Sequence, residues 1–133
     1  MDFQNRSVPF KIDEVASGFQ EANGLLTATR KGLDLEFEVT DAFFGVFKSG
    51  VKNVFLSFGD LRSVSYKKGW FSAKIILEGT SMKVFDDLPG TDVATVTLKV
   101  KRRHREDARS VISHARMMLS EHRLQQLEEG EEG

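Results

Sequence analysis

Residues 94–119, ATVTLKVKRRHREDARSVISHARMML, change their hydrophobic period from two to about 3.6 residues within one short stretch. The first part alternates strictly, and its apolar face consists of Ala94, Val96, Leu98 and Val100. After Arg102 the apolar residues share one helical stripe, formed by Ala108, Val111, Ile112, Ala115, Met118 and Leu119. The stretch therefore predicts a final strand followed by one amphipathic C-terminal helix.

Six further strands are predicted upstream of this stretch. The run LDLEFEV at residues 33–39 alternates perfectly, and the preceding Lys31-Gly32 is a two-residue hairpin connection. Turn residues separate the other β-rich runs, so that the predicted strands cover residues 25–30, 33–39, 51–58, 61–67, 71–78 and 82–85. Seven short antiparallel strands with one apolar face each require a barrel or a sandwich. We predict a mainly β fold, a barrel plugged by the helix.

The length of 133 residues fits one domain, because two halves would each be too small to bury a core. We assign residues 24–124 to this domain and residues 1–23 to an arm or short helix packed on the barrel. Beyond Leu119 the helical stripe loses phase at Leu124, so the last helical turns are expected to project. Residues 125–133 are expected to form an acidic disordered tail.

The formal net charge of −1 gives the chain no long-range attraction for nucleic acid, which we exclude as a partner. The absence of cysteine fits a reducing compartment. Residues 1–9 lack the apolar run of a signal peptide, and no stretch approaches the roughly 20 apolar residues of a membrane helix. These features together predict a cytoplasmic protein.

Three segments carry a resemblance to a known fold family. They are VFLSFGDLRSV at residues 54–64, LPG at residues 88–90, and VKRRHREDA at residues 100–108. In this order, with one terminal helix, they resemble the bacterial branch of the pleckstrin-homology (PH) superfold. The resemblance implies two near-orthogonal antiparallel sheets with the helix over their open corner, and it implies oligomeric assembly. Eukaryotic members carry a tryptophan in the terminal helix, whereas the single tryptophan here, Trp70, lies at a turn.

Basic residues at two places are candidate anion contacts: Arg30, Lys31, Lys101, Arg102, Arg103 and Arg105. PH domains that bind phosphoinositides use a basic first hairpin, but here Arg30-Lys31 is followed by Asp34, Glu36 and Glu38. These carboxylates would repel a phosphorylated headgroup, so we favour a solvated hairpin. The cluster at residues 101–105 could contact an anionic membrane, or it could be a solvated connector between strand and helix.

Aromatic residues concentrate in or beside two predicted connections, and they are Phe43, Phe44, Phe47, Trp70 and Phe71. One interpretation is that they cap the end of the barrel. The other is that they form an exposed patch for self-association or for a protein partner, because contiguous apolar surface is seldom left in water.

No pattern in the chain predicts catalysis, a metal site, a cofactor or a small-molecule substrate. The three histidines, His104, His114 and His122, are ten and eight residues apart, so no pair converges from one helix, and we interpret them as surface residues. The alternating carboxylates at 34, 36 and 38 could hold a cation but are better interpreted as a solvated strand face. The sequence thus predicts a non-enzymatic binding or scaffold module that acts through protein contacts and self-association. The alternative is a peripheral module for anionic membranes or lipids.

Overall fold

A computed structural model describes residues 6–15, 20–41, 50–89 and 92–132. The strands are β1 (Arg6–Val15), β2 (Gln20–Ala28), β3 (Gly32–Asp41), β4 (Lys52–Ser57), β5 (Leu61–Lys68), β6 (Ser72–Gly79) and β7 (Thr95–Lys101). One long helix follows, α1 (Arg105–Glu132). Short 3₁₀ turns cover Phe58–Asp60, Met82–Phe85 and Arg102–His104.

The seven strands form one antiparallel sheet in the order β4-β3-β2-β1-β7-β6-β5. The two outer strands, β4 and β5, are joined by the turn Phe58–Asp60 but are not paired with each other among the described strands. The predicted mainly β fold with one C-terminal helix is confirmed, while the sheet is open rather than closed into a barrel. Helix α1 contacts β5, β1 and the turn Phe58–Asp60.

The sheet consists of two meanders, β1 to β4 and β5 to β7, that meet where β1 runs beside β7. Only Lys11 and Lys99 are paired there among the described residues, whereas β6 pairs with β7 from Ser72 to Glu78. A short ladder between two well-paired meanders lets the strands diverge on either side. The candidate functional site lies beside this junction.

Alternate residues of the strands and one stripe of the helix fill a single core. Its largest fully buried side chains include Phe37, Phe85, Leu26, Leu33, Leu35, Leu56, Ile75, Leu77 and Leu98. Helix α1 contributes the buried residues Ala108, Val111, Ile112, Ala115 and Leu119, and Met118 packs partly buried against them. The predicted helical stripe is therefore confirmed, and each fully buried large side chain stabilises the fold by about 1.5–3 kcal/mol.

The N-terminal segment differs from the sequence prediction of an arm or short helix. Residues 6–15 form a strand within the sheet, and β2 begins at Gln20, before the predicted domain boundary at residue 24. The physical reason is the alternation of Val8, Phe10 and Ile12, which are all buried against the core. This strand pairs with β2 from Arg6 onward, so residues 6–15 and 20–23 are part of the fold itself.

Residues 82–85 form a 3₁₀ turn instead of the predicted strand. Phe85 is fully buried and its neighbour Val84 packs against the same core, while Met82 is 68% exposed. Two adjacent residues cannot both face the core in a strand, because strand side chains alternate. The turn is continued by a hydrogen bond from the Leu88 N–H to the Phe85 carbonyl at 2.9 Å.

The C-terminal segment also differs, because α1 continues to Glu132 where a disordered tail was predicted from residue 125. Leu124 and Leu127 are exposed, in agreement with the loss of stripe phase after Leu119. Among the described helices, none is long and apolar enough to span a membrane.

Candidate functional site

The connection between β5 and β6 is a tight loop that holds two aromatic residues. The Gly69 N–H donates to the Ser72 carbonyl at 2.8 Å, which leaves Trp70 and Phe71 as the two residues of the loop. A Cβ at Gly69 would lie 2.5 Å from the Ser72 carbonyl oxygen, so this close approach requires glycine.

Both aromatic rings of this loop are in solvent. Trp70 is 80% exposed and Phe71 is 82% exposed. The two rings contact each other edge to face, with centroids 6.5 Å apart and planes at 79°. Of the candidate aromatic residues, these two therefore form an exposed patch, whereas Phe43, Phe44 and Phe47 lie outside the described residues.

The strand–helix junction brings cations to the same loop. Lys101, the last residue of β7, is in register with Ser72, which directly follows Phe71. One guanidinium nitrogen of Arg105, Nη1, donates to the Gly69 carbonyl at 3.3 Å and so fastens the start of α1 to the loop. The predicted cluster at residues 101–105 thus lies next to the predicted aromatic pair.

We define the aromatic-basic tip as the two rings and six cations: Trp70, Phe71, Lys67, Lys68, Lys101, Arg102, Arg103 and Arg105. None of the ion pairs among residues 6–15, 20–41, 50–89 and 92–132 involves these cations. The neighbouring carboxylates in sequence are Glu106, which pairs with Arg109 at 3.6 Å, and Asp107. Cations therefore outnumber carboxylates around the rings, and their charge is not neutralised internally.

A groove of about 460 Å³ lies beside the tip, at the junction of β1 and β7. Pro9, Lys11 and Asp13 line it from β1, and Lys101 and Arg103 line it next to the tip. The groove lies where β1 and β7 diverge on either side of Lys11 and Lys99, which are their one pair among the described residues. Its outer rim is shared with the aromatic-basic tip.

The interior of the groove is neutralised by its own ion pairs. Asp13 accepts a hydrogen bond from the Lys99 ammonium group, and chiefly this bond lowers the pKa of Asp13 below its usual range. Lys11 lies 2.9 Å from a carboxylate oxygen of Glu21, and the hydrogen bond to Glu21 is the main cause that raises the pKa of Lys11. An anion that approaches this region thus meets uncompensated charge at the tip rather than in the groove.

Arg30 and Lys31 lie elsewhere, in the loop between β2 and β3. They line a depression together with Glu121, His122 and Gln125 of α1. Sixteen residues of helix separate Glu121 from Arg105, which corresponds to about 24 Å. The structure does not bring the two groups of predicted anion contacts together. The second group is joined to two rings that are each at least 80% exposed, whereas the ring beside the first group, Phe55 next to Gly32, is 50% exposed.

The prediction that all three histidines are surface residues is wrong for one of them. His114 is 9% exposed, and burial is the main cause that lowers its pKa. It falls on the helix face next to the buried stripe, which explains its burial. No group of three or more potential metal ligands occurs in the described part of the chain.

Lys67 and Lys68 belong to the tip but were not among the predicted contacts. The signal was present in the sequence KKGWF at residues 67–71, where two lysines precede a glycine and two large aromatic residues. The sequence alone does not show the register between β6 and β7, which places residues 101–105 beside this loop.

Comparison with known proteins adds no assignment, because no family model, no curated protein and no solved structure matches this chain.

Proposed function

We propose that this chain is a non-enzymatic binding module with a PH-like fold. The strand order and the single C-terminal helix are compatible with that fold. In this interpretation the two meanders form the two near-orthogonal sheets, and α1 covers the corner that β4 and β5 leave open. Of the segments that carry the sequence resemblance, residues 54–64 span this corner and residues 100–108 span the start of the helix.

We propose further that the module binds an anionic membrane surface through the aromatic-basic tip. The observation that carries this proposal is the combination of two rings, each at least 80% exposed, with six cations that take part in none of the ion pairs of the described chain. Tryptophan and phenylalanine favour the boundary between headgroups and acyl chains, while lysine and arginine favour the anionic headgroups. The aromatic-basic tip presents both kinds of side chain together.

The expected energies support a reversible contact. Each ring contributes about 2 kcal/mol when it leaves water, and each cation contributes about 1 kcal/mol near an anionic surface. Neither set alone provides stable attachment, because a few cations are screened by salt and two rings do not offset the loss of free motion. A cytoplasmic location would offer the anionic inner leaflet as the target.

The second candidate function, a protein contact at the same tip, is favoured by the same exposed rings, because such patches are enriched at protein interfaces. The cations make it the weaker candidate. Lysine is depleted at interface centres, and the tip contains Lys67, Lys68 and Lys101.

The single tryptophan of the chain, Trp70, allows a direct test. Vesicles of phosphatidylglycerol and phosphatidylcholine are added to the full chain at low salt, and the Trp70 emission is recorded together with vesicle flotation. We expect a blue shift, quenching by brominated acyl chains, and co-flotation that weakens as salt increases. Vesicles of phosphatidylcholine alone are the matched control and should produce little of each effect.

Unchanged Trp70 emission and no flotation with anionic vesicles at low salt would overturn the membrane proposal. If the emission then shifts as the protein concentration rises, the tip is a protein contact. Flotation that is independent of salt and of lipid charge would also contradict the role of the six cations.

A further inference from the structure

The distal part of α1 carries an apolar surface that faces away from the sheet. Met117, Leu124 and Leu127 are 51%, 59% and 66% exposed. The last buried side chain of the described helix is Leu119, and residues 123–130 are all exposed. A helical segment of this length is marginal in water without tertiary packing. The distal turns therefore lack the buried apolar side chains that stabilise the first half of α1.

The exposed apolar residues follow the spacing of a coiled coil. Together with two serines, these apolar residues lie alternately four and three residues apart. We name the set the distal seam: Ser113, Met117, Ser120, Leu124 and Leu127. This is the a and d pattern of a heptad, in which Met117 and Leu124 occupy a positions. The two serines are small and let a second helix approach closely.

Charges beside the distal seam specify the orientation of a partner helix. Arg116 and Arg123 occupy the g positions on one side, and Glu121 and Glu128 occupy the e positions on the other. In a parallel pair, each g residue meets the e residue five positions later in the other helix, so both contacts join arginine to glutamate. In an antiparallel pair, g residues meet g residues, which would bring like charges together.

We propose that a second copy of this chain packs on the distal seam, with the two α1 helices parallel and related by a two-fold axis. Arg116 then meets the partner subunit's Glu121, and Arg123 meets the partner subunit's Glu128. One guanidinium nitrogen of Arg123, Nη2, already donates to the Arg62 carbonyl. A guanidinium has five N–H donors, so this bond leaves others for a carboxylate.

Parallel pairing also determines where the two aromatic-basic tips lie in the dimer. The functional meaning of this placement rests on the proposed membrane binding, whereas the dimer itself does not. The start of α1 is fastened to the tip loop by Arg105, so two parallel helices place both tips on the same side of the dimer. Two tips on one side bind one surface together, because the second contact becomes intramolecular.

Sedimentation equilibrium without lipid tests the dimer independently of membrane binding. We expect the full chain to shift from monomer to dimer as its concentration rises through the micromolar range. The double variant Leu124→Gln/Leu127→Gln should weaken dimerisation about 100-fold or more, because two buried leucines are lost from the interface. The control Gln125→Ala/Gln126→Ala, next to the same residues, should leave the dimer intact.

A charge reversal tests the specific pairing. Arg123→Glu and Glu128→Arg should each weaken the dimer, and the double variant should recover it. A wild-type chain that stays monomeric throughout the range overturns the proposal, and so does a dimer that these variants leave unchanged.

The orientation is tested by introducing a single cysteine, since the chain has none. In a parallel pair Ser113 lies opposite the same residue of the partner, so Ser113→Cys should form a disulfide-linked dimer on mild oxidation. In an antiparallel pair these positions are far apart. A dimer that dissociates on Leu124→Gln/Leu127→Gln but does not cross-link through Ser113→Cys contradicts the parallel arrangement.

Discussion

Two hairpins of this chain share one loop geometry and differ in their surroundings. Each has a two-residue loop closed by a hydrogen bond from the first N–H to the last carbonyl, 2.9 Å long in residues 29–32 and 2.8 Å in residues 69–72. The first loop contains Arg30 and Lys31, one residue earlier than the connection Lys31-Gly32 predicted from the sequence, because Gly32 already belongs to β3. The second loop contains Trp70 and Phe71. By residue type alone, the first loop would be expected in solvent and the second in the core.

Only the first loop meets this expectation, because Arg30 and Lys31 are exposed, and Trp70 and Phe71 are exposed as well. The two loops differ instead in the contacts around them. In the first loop the Thr29 hydroxyl accepts the N–H groups of Lys31 and Gly32 at 3.2 Å, and the Lys31 carbonyl accepts the N–H of Phe58 at 3.2 Å. The distal half of α1 lies beside it. The second loop is held by Arg105 and presents its rings to solvent. We therefore expect the second loop, whose two rings are the most exposed, to carry the proposed binding surface.

Among the substitutions that compare the two loops, removal of the two rings should have the largest effect on vesicle binding. We expect Trp70→Ser/Phe71→Ser to weaken binding to anionic vesicles by about 4 kcal/mol, or roughly 1000-fold, because both apolar side chains are lost. Flotation measures this without tryptophan fluorescence. The matched change in the other loop, Arg30→Ser/Lys31→Ser, should leave binding within about twofold of the wild type. Equal losses in both variants would contradict the assignment of the site to one hairpin.

The glycines of the two loops should differ in their effect on stability. A Cβ at Gly32 would lie 2.1 Å from the Leu56 carbonyl oxygen in a buried position, whereas at Gly69 the corresponding distance is 2.5 Å in an exposed loop. We expect Gly32→Ala to lower the free energy of unfolding by about 3 kcal/mol and Gly69→Ala by about 1 kcal/mol. Urea denaturation measures both, and the reverse ranking would show that the first hairpin is not the more tightly packed one.

Neutralising two cations at the tip should have a smaller effect than removing the rings. Lys101→Gln/Arg103→Gln should weaken vesicle binding by about 2 kcal/mol, or about 30-fold, at low salt. The difference from the wild type should shrink as salt increases. The comparison variant is Arg30→Gln/Lys31→Gln, which should bind almost as the wild type does. A loss that persists undiminished at high salt would indicate a structural rather than an electrostatic effect.

The smallest expected effect is a pH dependence that arises from His114 of α1, which contacts the first hairpin at Thr29. Burial and the nearby Arg6 lower the pKa of His114, against the opposing effects of a hydrogen bond with the Thr29 backbone and of Glu121. Because the unfolded chain binds the proton more tightly, stability should fall as the pH drops below about 6.5. His114→Gln should flatten this slope in thermal denaturation, and His104→Gln should retain it. An unchanged slope in His114→Gln would assign the dependence to another group.

Most of the strands could be predicted from the sequence, because their faces alternate clearly. The predicted runs at 33–39, 51–58, 61–67, 71–78 and 94–101 agree with β3 to β7 within a few residues. β1 was missed because Phe10, Ile12 and Val15 fit a short helix as well as an extended segment. Proline is unusual in the interior of a sheet, and Pro9 lies within β1. It is accommodated beside a junction where only Lys11 is paired with β7 among the described residues.

The site was predictable only in parts. The aromatic pair and the basic cluster were each visible as local sequence patterns, but about 30 residues separate them, and only the pairing of β6 with β7 joins them. The burial of Phe85 could not be distinguished from a strand pattern, because a short apolar run fits several structures. Long-range register, rather than residue type, was the missing information.

The molecule carries the cations of the tip beside the start of α1 and carboxylates at the other end of that helix, where Glu128 and Glu129 lie about 35 Å from Arg105. A body with positive charge at one end and negative charge at the other experiences a torque in the field of a negatively charged surface. Such a surface attracts the cationic end and repels the acidic one, so the molecule rotates during approach, before any contact forms. If the tip binds such a surface as we propose, this separation of charge would act on the rate of encounter, because molecules would arrive already oriented with the two rings forward.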